Sequence, residues 1–189
     1  MEKLFYPFTQ RRVRADAHIR ELTAGVKLSH KSFIQPLFVD EAITEPRLVN
    51  GLAGVHVETS ETVLQTIEKS IAAGITKFLL FPVPAKKTTQ QFDFSFAVNL
   101  VQKIKTVFGN SIWLSADLCL CSYTTQGHCG ILNEAHTKLL NNKTVEVLSN
   151  YAVQLANAGV QCIAPSDMMD GMDALLLFAP VWMHCSLIV

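Results

Sequence analysis

The chain has 189 residues, 49% of them hydrophobic and 17% charged, with 16 basic and 16 acidic side chains. That length and apolar content suit one globular domain with a sizeable core and exclude a disordered chain. A formal net charge of zero removes the electrostatic case for nucleic acid or an anionic membrane as partner.

The N-terminal segment MEKLFYPFTQRRVR has no apolar core of signal-peptide length. No stretch before residue 170 is apolar for long enough to span a bilayer. Arg11, Arg12 and Arg14 form the single basic run, and three such charges read as a solvated arm rather than a phosphate site. Residues 1–32 stand outside the pattern that follows and are expected to form an arm.

A strand–helix rhythm begins at residue 33. FIQPLFV (33–39) is a continuous apolar run, as expected of a strand buried on both faces. Ser60 is the expected N-cap of a helix with Val63, Leu64, Ile67 and Ile71 on one face, ended by Gly74. KFLLFPV (77–83) is the second strand. A second helix carries Ala97, Leu100, Val101, Ile104, Val107 and Phe108 as its apolar stripe and stops at Gly109. IWLSADL (112–118) is the third strand. Val145, Leu148, Ala152 and Leu155 mark a third helix, capped near Asn142 and ended by Gly159, and VQCIAPS (160–166) is the fourth strand.

Strands alternating with helices pair in parallel, so the expected class is α/β. Either an open doubly wound sheet or part of a closed (β/α)8 barrel accommodates four such strands. No glycine-rich phosphate loop follows the first strand, which removes the main argument for a nucleotide-binding version. A whole barrel needs roughly 250 residues, and the rhythm here covers about 140, room for four βα units.

Three of the five cysteines crowd into eleven residues, in DLCLCSYTTQGHCG (117–130) at the end of the third strand. In a chain without a secretion signal, such crowding points to a metal or reactive thiols in a reducing cytosol, not to disulfides. Residues two apart on an extended segment face one side, so Cys119 and Cys121 can meet one point, and a turn at Gly127 can return Cys129 to it. Three thiolates suit zinc, with a fourth position left for water or substrate. Small apolar filling is the bland alternative for any single cysteine, and Cys162 and Cys185 are read that way. His128 is expected to support the ligands from behind rather than to bind metal. APSDMMDG (164–171) places Ser166, Asp167 and Asp170 just past the fourth strand, on the side where active sites form in either architecture.

DLCLCSYTTQGHCGIL (117–132) closely resembles the zinc–cysteine loop of porphobilinogen synthases (5-aminolevulinate dehydratases), and APSDMMDG resembles that family's next signature. The resemblance also covers FIQPLFVDEAITEP (33–46), GLAGVHV (51–57), LLFPVP (79–84) and the run from 140 to 171. It implies a (β/α)8 TIM barrel whose N-terminal arm wraps a neighbour, a homo-oligomer that is usually an octamer, and a cytoplasmic lyase of heme biosynthesis. The implied reaction condenses two 5-aminolevulinate molecules to porphobilinogen. Carried over by motif, the zinc ligands are Cys119, Cys121 and Cys129, and Asp117 and Ser166 stand near the reacting atoms.

The family's two covalent-catalysis lysines, its carboxylate-binding arginines and its lid belong to its second half, and no position here matches them. The expectation is therefore a partial barrel: an arm (1–32), about the first four βα units (33–171) and a divergent apolar tail (172–189). Such a chain is expected to be inactive alone. The alternative is a zinc- or thiol-binding, or subunit-docking, module without catalysis. With half a barrel, the first and fourth strands are expected to be open edges, and the tail to pack on the exposed surface rather than to cross a membrane.

Overall fold

A computed structural model describes residues 10–171 and the pair 186–187. The other tail residues, and with them the expected packing of the tail, lie outside the described residues. So does the start of the arm. From residue 11 to 32 every residue is exposed except half-buried Ile19. The one α-helix there, α1 (Ala17–Thr23), is capped by Asp16, which accepts a hydrogen bond from the Ile19 N–H at 3.0 Å, and buries nothing.

The described residues form a seven-stranded sheet that is parallel except at one end. In chain order the elements are β1 (Gln35–Asp40), β2 (Arg47–Leu48), β3 (His56–Glu58), α2 (Thr62–Ala72), β4 (Lys77–Val83), α3 (Ser95–Phe108), β5 (Trp113–Leu118), α4 (Asn141–Ala158), β6 (Cys162–Pro165) and β7 (Ser186–Leu187). The sheet order is β2-β3-β1-β4-β5-β6-β7, with β2 and β3 the antiparallel pair. The four expected strands are neighbours in sequence order, and β4 has the bounds its apolar run suggests.

Two expectations about edges and caps need correction. The outer edge of β1 is paired with β3, with Phe38 opposite Val57, and β6 is paired with β7, with Cys162 opposite Ser186. Each edge is covered in part, over two residues, by a segment too short to show a periodicity. Ser60 does not cap α2: the Thr59 hydroxyl receives the Glu61 and Thr62 N–H groups instead. Asn142 lies inside α4, whose N-cap is Leu140.

Period-two alternation along the strands and helical stripes build one core. Leu37, Val39, Phe78, Leu80, Leu114, Ala116 and Leu118 are buried with Val63 and Ile67 of α2, Ala97, Leu100, Val101 and Ile104 of α3, and Val145, Leu148, Ala152 and Leu155 of α4. Val107, placed on the α3 stripe by its spacing, is 53% exposed. The intervening strand residues face the other side, where Phe38 and Phe81, opposite in register, stack at 5.0 Å. Gly159 ends α4 with φ of 110°, a left-handed conformation that a side chain would strain. That turn returns the chain into β6 and delivers Ser166 to the carboxyl end of the sheet.

Candidate functional site

Pairing between β5 and β6 brings the two signature segments together. Asp117 lies opposite Ala164 and Leu118 opposite Pro165. One residue later the Ser166 N–H donates to the Leu118 carbonyl at 3.3 Å, and its hydroxyl donates to Asp117 Oδ1 at 2.5 Å. Burial pushes the Asp117 carboxyl above its ordinary range; the Ser166 bond opposes this and the Asp167 charge adds to it. The result is a carboxyl group that takes up a proton more readily than a surface aspartate, held by the hydroxyl of an exposed serine at the carboxyl end of the sheet.

The cysteine loop leaves β5 at the same rim. Leu120 accepts hydrogen bonds from the N–H groups of Tyr123 and Thr124, each at 2.9 Å, which turns the chain straight after Cys119. Cys119 is buried, Cys121 exposed and Cys129 between them. The Cys121 N–H points at Cys119 Sγ at 3.4 Å. Burial pushes the Cys119 thiol up, and the charges of Cys121 and Cys129 add to that. The three sulfurs therefore feel one another, although among the described residues no three His, Cys, Asp or Glu side chains are already gathered as a metal cage.

His128 folds the loop. Its Nδ1 accepts the Gly130 N–H at 2.9 Å, and its carbonyl accepts the Thr124 hydroxyl at 2.8 Å. Nδ1 is thus engaged within the loop, leaving Nε2 for any outward role. Cys162 is fully buried in β6, as the bland reading of that residue has it.

Sequence reasoning missed the aromatic support behind this loop. Tyr123 and Tyr151 share a hydrogen bond of 3.0 Å between their hydroxyls, and Phe94 stacks on Tyr151 at 4.0 Å. All three are buried. Tyr151 falls on the α4 stripe between Leu148 and Ala152, a signal that could have found it. Burial raises both phenol pKa values, helped at Tyr151 by the charge of Tyr123. The folded protein thus holds these protons more tightly than the unfolded chain, so their contribution to stability is complete below about pH 10 and is lost as pH rises beyond it. We expect tyrosinate absorbance from Tyr123 and Tyr151 to appear only together with loss of helical circular dichroism. Reversible ionisation of both near pH 10 in a folded chain would contradict this.

Residues 8–176 match the family model described as Delta-aminolevulinic acid dehydratase. The delta-aminolevulinic acid dehydratase of Helicobacter pylori is 36% identical over 166 residues, covering 85% of this chain and 50% of that relative. That of Bacillus subtilis is 32% identical over 165 residues, with the same coverage of 85% and 50%. A crystal structure of the delta-aminolevulinic acid dehydratase (porphobilinogen synthase) of Toxoplasma gondii, in complex with the reaction product porphobilinogen, superposes with a TM-score of 0.88 at 27% identity. That match covers 98% of this chain and 55% of the solved one. The chain spans about half the length of the curated relatives it matches.

Proposed function

Because this chain belongs to the delta-aminolevulinic acid dehydratase family, we propose that it carries one part of a porphobilinogen synthase site, the part built from Asp117, Ser166 and the cysteine loop. The family reaction, condensation of two 5-aminolevulinate molecules to porphobilinogen in heme biosynthesis, is the activity to which this part contributes. The observation that carries the reading is the Ser166–Asp117 hydrogen bond across the carboxyl ends of β5 and β6, beside the loop that holds three cysteines. In this reading β1, β4, β5 and β6 are four successive units of a (β/α)8 barrel, whose active sites form at that rim.

Asp117 exchanges a proton with the reacting substrate, since burial brings its carboxyl closer to neutrality. Ser166 fixes which carboxylate oxygen is free, because its hydroxyl occupies Oδ1. The donor set suits zinc: three thiols on one loop, two of which add charge against ionisation of the third, a repulsion that a divalent cation reverses. Cys119, Cys121 and Cys129 would hold the ion, and when bound it would supply Lewis-acid polarisation of a substrate oxygen.

The 189-residue chain by itself is proposed to lack turnover and to need the lysine-bearing part of the family fold. Mixing it with a polypeptide spanning the second half of the Bacillus subtilis relative tests this. Porphobilinogen is expected from the mixture and should vanish with Asp117→Ala in this chain. A mixture that assembles into one complex yet behaves identically with and without Asp117 would sink the assignment.

A further inference from the structure

The cysteine loop and the Ser166 loop leave different strands, yet both are tied to the first turn of α4. On one side, the Ile131 N–H donates to Thr144 Oγ1 at 3.0 Å, and the Leu140 N–H donates to the Ile131 carbonyl at 2.8 Å. Thr144 is fully buried and also donates to the Leu140 carbonyl. On the other side, the Asn141 side chain grips Asp170 twice: its Nδ2 donates to the Asp170 carbonyl at 3.0 Å and its Oδ1 accepts the Asp170 N–H at 2.9 Å.

The side chains of Leu139 and Met169 fill the space beside Gly130 that a Cβ would need. Gly130 follows Cys129 directly, and a Cβ there would stand 2.5 Å from Leu139 Cδ1 and 3.0 Å from Met169 Cε. Met169 is buried, and its N–H donates to Asp167 Oδ1 at 2.7 Å. Closely packed side chains cannot move independently. Displacement of Met169 would therefore change the packing beside Gly130, the neighbour of Cys129.

We propose that Met169, seated against Gly130, and Asn141, gripping Asp170, form a clasp that makes the cysteine loop and the Ser166 loop one mechanical unit. Met169 and Asn141 are positioning residues: they touch no proposed reacting group, but set Cys129 relative to Ser166 and Asp117. That role rests on the site proposed above, whereas the coupling between the loops does not.

The test uses the zinc-free full chain and reads the coupling in both directions. In Met169→Ala, alkylation of Cys129 by iodoacetamide, followed by peptide mass spectrometry, should quicken about tenfold, while Met169→Leu should keep it within about twofold of the parent. In Gly130→Val, hydrogen exchange at the Met169 and Asp170 amides should quicken by about the same tenfold. Ile104→Ala, in the α3 core, is the control: it should lower the urea midpoint and leave both local readouts unchanged. If Met169→Ala fails to fold, Asn141→Ala carries the same alkylation test, since it cuts both Asp170 bonds without opening the core. Unchanged Cys129 alkylation together with unchanged exchange at 169 and 170 would overturn the clasp. Equal changes in Ile104→Ala would overturn it too, by reducing the effect to global stability. Coupling seen in a chain that binds no zinc would leave the clasp standing and sink only the metal reading.

Discussion

Incubated with 5-aminolevulinate, the purified 189-residue chain is expected to form no porphobilinogen, and borohydride added to the mixture is expected to trap no lysine imine. The family resemblance calls for a lysine amine that attacks a substrate keto group, which requires a lysine beside the Asp117 rim with its proton readily lost. Three of the described lysines already hold other partners. Lys77 starts β4, at the far end of the sheet, and donates to the Lys31 carbonyl. Lys103 pairs with Glu61. Burial lowers the Lys105 pKa, but its ammonium donates to the Gly109 carbonyl at 2.7 Å, past the end of α3. Lys86, on the loop after β4, is exposed and lines a cavity of about 240 Å³ with Glu41 and Asp93. Colorimetric assay of porphobilinogen and intact mass after reduction check the expectation together. Turnover by the chain alone, or one reduced adduct on a single lysine, would overturn it.

The second large effect concerns metal. Dialysed against zinc and freed of excess, the folded chain is expected to retain about one ion. Changes to groups behind a metal ligand already cost 10–100-fold in affinity, so Cys119→Ala or Cys129→Ala should cost at least about 100-fold. Cys121→Ala should follow them, although Cys121 is exposed, because its charge reaches Cys119. Thiols must give up protons to bind, and burial holds the Cys119 proton tightly. Affinity should accordingly fall steeply on acidification, as protons compete for the sulfurs. Competition with a chromophoric chelator across pH 6 to 8 measures both effects. A folded chain that retains no zinc, or equal retention by the triple alanine variant, would refute the site.

Local chemistry was enough to place the main elements. Apolar runs located β1, β4, β5 and β6, and 3.6-residue spacing located α2, α3 and α4, because both periodicities are properties of a single segment. The cysteine trio and the Ser166 segment were legible for the same reason: their residue types and spacing lie within a few turns of chain. The bond between Ser166 and Asp117 was not, since it joins residues 49 apart through the β5–β6 register. Pairing also decided the edges. A two-residue strand such as β7 has no period to detect, and it exists because β6 offers it unpaired backbone groups. Val107 fits the α3 stripe and is exposed, whereas Thr144 looks polar and is buried, holding the Ile131 amide. Composition and spacing determined which residues this protein could use for chemistry. Only the tertiary structure decided which of them meet, because strand register and helix packing depend on contacts between segments that are distant in the chain.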